Sequence, residues 1–285
     1  MLWRAVRIAA ILLLALFLFA QYIRRTGMFF PDRYPSGNWD AHAYGVAPRD
    51  ETFVTPDGVK LHGWLFREND RASPLIVWFH GNGGNITDRA PVAAELARRG
   101  VAVFVFDWRG YGKSDGAPSE GNLKIDAIAA YDFAATLARP EDIVLYGESL
   151  GGPYAAFVAK ERKARCVVME NSFPSLAALG NALYGPLPLG WFAPLALRTT
   201  AWLNDAGIPV LVLHSKRDQV IPFALGQELY DGLRVPKQMF VCESAGHCEI
   251  PVVEGERYYD TVVRFVTGKG VRSFLRGKDV LTPTR

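Results

Sequence analysis

Short, uninterrupted apolar runs recur along this chain, and segments with helical spacing separate them. Pro74 opens Leu75-Ile76-Val77-Trp78-Phe79, and Val101–Phe106, Ile143–Tyr146, Cys166–Met169 and Val210–Leu213 follow. Runs of this length without alternation suit strands covered on both faces. Between and after them, Asp88–Arg99, Asn122–Leu137, Leu150–Lys160, Phe223–Leu233 and Val252–Val266 carry helical periodicity, and Gln238–Cys242 adds one more strand. Ahead of them, Thr52–Thr55 and Lys60–Phe66 flank Asp57-Gly58, a hairpin signal. Strands that alternate with helices after one hairpin predict an α/β domain whose central sheet is mostly parallel, with helices on both faces.

The remaining features narrow the function. The chain has 285 residues, and about 250 remain once an apolar N-terminal segment is set aside, which suits one large domain. The formal net charge is +3, with scattered basic residues and no basic run interleaved with aromatics, so nucleic-acid binding is not expected. The three cysteines, Cys166, Cys242 and Cys248, form no CxxC pair and are odd in number, which argues against a disulfide framework. His247 and Cys248 are adjacent, a poor arrangement for one metal ion. No metal and no cofactor is expected.

Ile8–Ala20 contains no polar residue, with Arg4 and Arg7 before it and Gln21, Arg24 and Arg25 after it. Counted from Leu2 to Ile23, the segment reaches the roughly 20 residues a bilayer core requires. The expectation is one N-terminal transmembrane helix within residues 1–25. A cleaved signal peptide, giving a secreted or periplasmic protein, is the alternative, although Leu18 fits the cleavage rule poorly; a buried core helix would need a polar face, which is missing. Residues 26–50 carry Pro31, Pro35, Gly37, Gly45 and Pro48 and read as a juxtamembrane linker that packs on the domain. The catalytic domain is expected over 51–270, followed by a tail over 271–285.

Gly147-Glu148-Ser149-Leu150-Gly151 fits G-x-S-x-G and lies between an expected strand and an expected helix. In that context the turn exposes a strained serine, and the flanking glycines let strand and helix approach closely. The backbone N–H of Leu150, at the helix start, points to where an oxyanion would form. Glu148 reads as a solvated side chain beside the serine.

Two further stretches sharpen this. His80-Gly81-Asn82-Gly83-Gly84-Asn85, after a buried strand, resembles the His-Gly oxyanion loop of α/β-hydrolases. Asp107-Trp108-Arg109-Gly110-Tyr111-Gly112-Lys113-Ser114 resembles that family's Asp-x-Arg-Gly-x-Gly-x-Ser loop. The similarity runs from about Glu51 to Val266 and is nearest to the membrane-anchored abhydrolase-domain proteins of the serine-aminopeptidase-like group. It implies the α/β-hydrolase fold with a short cap insertion. It also implies that Asn82 supplies a backbone N–H to the oxyanion and that His80 is structural.

In this fold the triad follows the order Ser, acid, His. His42 falls in the linker, His62 in the hairpin, His80 in the oxyanion loop and His214 at a strand end. His247 lies between the last strand and the last helix, and Ala245-Gly246-His247 resembles the family's Gly-His signature. Val212–Pro222 resembles the acid loop and offers Asp218. Asp205, Glu243, Glu249 and Glu170 stay as alternative acids, and helix capping is the alternative role for Asp218. Cys248 stands where relatives often carry a polar residue.

Nearly forty residues separate Glu170 from Pro209. At this insertion point the family places a cap, expected over about 172–205. Its Leu176, Leu179, Leu183, Tyr184, Leu187, Leu189, Trp191, Phe192, Leu195 and Trp202 suit either an acyl pocket or an ordinary crossover helix. The expected function is a serine hydrolase that cleaves an ester or thioester of a small-molecule or lipid acyl substrate through an acyl-enzyme. Amide or peptide hydrolysis by the same triad is the first alternative, and a non-catalytic binding protein on the hydrolase fold is the second.

Overall fold

The computed structural model describes residues 2–26, 29–67, 74–185 and 197–268. The C-terminal tail expected over 271–285, and cap residues 186–196 with Leu187, Leu189, Trp191, Phe192 and Leu195, lie outside the described residues.

Eight strands form the main sheet: β2 (Arg49–Val54), β3 (Lys60–Phe66), β4 (Leu75–Phe79), β6 (Ala102–Phe106), β7 (Ile143–Glu148), β8 (Cys166–Glu170), β9 (Val210–Ser215) and β10 (Lys237–Cys242). Their order across the sheet is β10-β9-β8-β7-β4-β6-β3-β2. β2 pairs antiparallel with β3, and β3 with β6; every other neighbouring pair is parallel. The apolar runs feed two cores at once. Leu75, Val77 and Phe79 pack on one face with Phe104, Leu145 and Val212. Ile76 and Trp78 pack on the other with Val103, Val105, Val144 and Leu211. That division explains why these strands show no polar alternation.

Helix α2 (Ala90–Arg98) covers the second face with Ala90, Ala93, Ala94 and Ala97, whose small side chains allow close approach to the sheet. Helix α3 (Glu120–Ala134), capped by the Ser119 hydroxyl, and helix α4 (Gly151–Glu161) cover the first. From β4 the chain steps to β6 on one side, then crosses to β7 on the other. The C-terminal ends of β4 and β7 therefore border the crevice where ligands of open α/β sheets bind.

Three features refine the sequence reading or leave it unconfirmed. The final helix is broken at Gly255, whose φ of 48° is left-handed, into Ile250–Glu254 and Glu256–Thr267. Residues 29–36 form a strap: β1 (Phe30–Pro31) pairs with β5 (Gly83–Gly84), and Asn85 Nδ2 donates to the carbonyls of Asp32 (3.1 Å) and Ser36 (2.9 Å). At the N-terminus Leu2–Thr26 forms helix α1, yet no helix among the described residues is long and apolar enough to cross a membrane. Within the cap span, α5 (Leu176–Tyr184) and the Thr199–Ala206 helix are described.

Candidate active site

β7 ends at Glu148, and α4 starts just past Leu150, so Ser149 turns the chain through a sharp corner. Its φ is 51°, a left-handed value that a residue with a Cβ adopts only under constraint. The constraint comes from both sides. Ser149 N–H donates to the Glu170 carbonyl at 2.8 Å, and Ser172 Oγ donates to the Ser149 carbonyl at 2.9 Å. A Cβ on Gly151 would lie 1.8 Å from the Phe79 carbonyl oxygen, so only glycine lets α4 begin there.

His247 follows β10 and Asp218 follows β9, which brings both to the sheet edge where Ser149 sits. His247 Nε2 is 2.9 Å from Ser149 Oγ, and Nδ1 is 2.8 Å from Asp218 Oδ2. A carboxylate can only accept, so Nδ1 carries the proton and Nε2 accepts from the serine hydroxyl. The Asp218 side chain is fully buried, and its other oxygen accepts the N–H groups of Val220 and Ile221, both at 2.8 Å. The capping bonds and the His247 bond thus use different oxygens of the same group.

The loop 80–85 is held from several sides. His80 Nδ1 donates to the Gly81 carbonyl at 2.8 Å, and burial holds this histidine neutral, its pKa lowered to about 3. In a trans peptide the Asn82 N–H then points away from the Gly81 carbonyl. The Asn82 carbonyl accepts from Phe30 N (2.9 Å) and Tyr111 Oη (2.8 Å), and Trp108 Nε1 donates to the His80 carbonyl at 3.0 Å. A Cβ on Gly81 would sit 3.4 Å from Ser149 Cβ, so this loop lies against the Ser149 corner. Leu150 stands at the N-terminal end of α4, where backbone N–H groups lack helical partners.

The Asp107–Ser114 loop is structural. Arg109 is buried between Asp126 (2.6 Å) and Asp57 (2.8 Å), joining α3 to the hairpin turn. The alternative acids go elsewhere. Glu243 pairs with Lys216 at 2.9 Å, Glu249 accepts from Gly246 N at 2.8 Å, and Asp205 borders a surface groove with Pro140 and Lys163. Glu170 accepts from Tyr146 and Tyr258, and burial raises its pKa to about 7. Of the other histidines, His214 Nε2 meets the Ile221 carbonyl and His62 meets Asp50.

Glu148 departs from its sequence reading. Only 3% of it is exposed, and it pairs with Arg89 at 2.5 Å. A separation of 59 positions along the chain hides the pair from any local motif.

A family model described as the alpha/beta hydrolase fold matches residues 74–189. An uncharacterized protein of Mycobacterium tuberculosis is 31% identical, over 93% of this chain and 95% of its own length. An uncharacterized membrane protein of Saccharomyces cerevisiae is 28% identical, over 79% of this chain and 82% of its own length. Among solved structures, an esterase of Pyrococcus furiosus is similar in fold, with a TM-score of 0.68 and 24% identity over 85% of this chain and 98% of that one. Sheet order, strained serine corner and these likenesses agree: the chain belongs to the α/β-hydrolase superfamily.

Proposed function

We propose that this chain is a serine hydrolase that cleaves an ester or thioester through an acyl-enzyme. The observation that carries the reading is the unbroken line from Ser149 Oγ through His247 to Asp218, at 2.9 and 2.8 Å. Ser149 Oγ attacks the acyl carbon while His247 Nε2 takes its proton. Asp218 stabilises the imidazolium so formed. The N–H groups of Asn82 and Leu150 receive the oxyanion, with the positive end of α4 behind them. The C–O or C–S bond breaks as His247 returns the proton to the leaving group. Water, deprotonated by His247, then releases the acid and regenerates Ser149.

An acyl substrate suits the surroundings. Val220 two residues past Asp218, and Val252 and Val253 shortly after His247, all expose apolar side chains. The cap is read over about 172–205, of which 172–185 and 197–205 are described. Membrane attachment through α1 belongs to the same proposal. Its Trp3, Ile8, Ile11, Leu12, Leu13 and Leu14 are exposed, and a yeast relative is named a membrane protein. Crossing a bilayer would use Leu2–Ile23, with Arg4 and Arg7 reaching back to the interface. Thr26 is four residues from Phe30, whose N–H bonds Asn82, so α1 ends within about 14 Å of the residue that bonds the oxyanion loop.

The test is a panel of p-nitrophenyl esters of increasing chain length beside aminoacyl-anilides, run on wild type and Ser149→Ala. Ester turnover that rises with chain length and vanishes in Ser149→Ala is expected. Turnover retained in Ser149→Ala, or confined to anilides, would overturn the reading.

A further inference from the structure

Glu148 immediately precedes Ser149, and donors from three separate segments meet its buried carboxylate. Trp78 Nε1 of β4 donates to Oε2 at 3.1 Å. Arg89, at the start of α2, donates from Nε to Oε2 at 3.1 Å and from Nη2 to Oε1 at 2.5 Å. Cys248 Sγ donates to Oε1 at 3.3 Å.

Two of these donors carry the link onward. Arg89 Nη1 reaches the carbonyls of Gly83 (3.1 Å) and Asn85 (3.3 Å), both in the loop that holds Asn82, and Asp88 Oδ2 at 3.3 Å. Cys248 adjoins His247 and has a φ of 62°, so the base loop turns on the residue bonded to Glu148. Gly81 closes the remaining side, where a Cβ would lie 3.2 Å from Glu148 Oε1. One carboxylate therefore touches the serine corner, the oxyanion loop and the base loop, with at most one side chain between. A solvated glutamate would need none of this. Desolvating a carboxylate and a guanidinium together is costly and is offset only by close, well-aligned bonds.

We propose that Glu148 is a positioning residue whose carboxylate, through Arg89 and Cys248, holds the oxyanion loop and the base loop in register with Ser149. The proposal rests on the acyl-enzyme reading above. Displacing a reacting group by about 1 Å can cost about 10²-fold in rate. The three segments come from different parts of the chain, and the Glu148 carboxylate is a partner that all three share. Burial pushes the Glu148 pKa up, but the charge and hydrogen bonds of Arg89 override this and hold it at about 2, so the tie does not titrate near neutral pH.

The test compares Arg89→Lys, Cys248→Ala, Cys248→Ser and the double variant Arg89→Lys/Cys248→Ala. Each is assayed for kcat and KM on an ester, for labelling rate with a fluorophosphonate, and for Tm. Lysine keeps the charge but not the fork that spans Glu148 and two carbonyls. Arg89→Lys should lose about 10²-fold in kcat with KM nearly unchanged, the mark of an interaction needed only in the transition state. Cys248→Ala should lose less, and Cys248→Ser should recover it, because serine restores a donor while all three residues carry the same Cβ at the strained position. The double variant should lose less than the product of the single losses, since both ties end on one carboxylate.

If Arg89→Lys folds poorly, Arg89→Ala replaces it. A cavity of about 220 Å³ borders Arg89, Glu148 and Cys248, which leaves room for added guanidinium ion to restore kcat. Wild-type kcat in both single variants, losses confined to KM, losses that track the unfolded fraction, or a folded Arg89→Ala that guanidinium does not rescue would overturn the proposal. Failure of the acyl-enzyme reading looks different: Ser149→Ala would then turn over ester at the wild-type rate.

Discussion

Glu148 and Glu170 are cross-strand partners at the ends of β7 and β8, and each has almost no exposed surface. Burial alone would raise both pKa values. Glu148 is nevertheless fixed as an anion, its pKa near 2, because the Arg89 guanidinium stands against it. Glu170 faces two phenols, Tyr146 and Tyr258, which donate hydrogen bonds but carry no charge, and its pKa rises to about 7. At this sheet edge the nearest donor decides the charge of a buried carboxyl. Asp218 extends the comparison, since its donors are two backbone N–H groups and the imidazole of His247. Burial makes these acids alike, and their hydrogen-bond partners set them apart.

The largest expected effect separates Asp218 from Glu170. Asp218→Asn should lower kcat by about 10⁴-fold, because tautomer and imidazolium control are lost together. Glu170→Gln should leave kcat within a few-fold, since the glutamine carbonyl would still accept from the tyrosines and would touch neither Ser149 nor His247. Steady-state kinetics on both variants check this, and the reverse pattern would move the acid to β8.

The next effect is thermodynamic. The Glu170 pKa is raised in the folded protein above its ordinary 4.5. Between those values the folded state binds more protons than the unfolded state, so stability falls as pH rises from about 4.5 to about 7. Below about 4.5 the contribution is fully present, and above about 7 it is gone, a change on the order of a few kcal/mol for this one group. Glu170→Gln has no such proton, so its unfolding free energy, followed by urea denaturation across that range, should depend less on pH than that of wild type. Equal slopes would place Glu170 in a less confined setting than its neighbours suggest.

The smallest expected effect concerns α1. Deleting Met1–Arg25 should release the protein from membranes after an alkaline carbonate wash and leave ester turnover near wild type. The strap at Phe30–Ser36, which bonds Asn82, Gly84 and Asn85, remains in place. Wild-type protein in the soluble fraction with a new N-terminus near Gln21 would replace the anchor with a cleaved signal peptide.

The convergence of Ser149, Asp218 and His247 was legible in the sequence because each lies in a short motif at a strand end, and parallel strands bring such ends to one edge. The buried strands were legible for a similar reason, since a run covered on both faces needs no polar partner. Glu148 was not legible. Its partners Arg89 and Cys248 lie 59 and 100 residues away, and nothing local distinguishes a paired glutamate from a solvated one. Residues 26–50 were expected to pack on the domain, but the strand pairing within the strap escaped notice, because its two-residue strand is too short to show a period. The break at Gly255 escaped because apolar spacing continues through it while the backbone turns left-handed.

The central claim is that Ser149 is the group that becomes acylated. The most direct test treats the protein with a fluorophosphonate and locates the adduct by peptide mass spectrometry. The account predicts one phosphonyl group per chain, on the peptide that carries Ser149, and none in a folded Ser149→Ala variant. An adduct on another residue, or labelling that persists in Ser149→Ala, would contradict it.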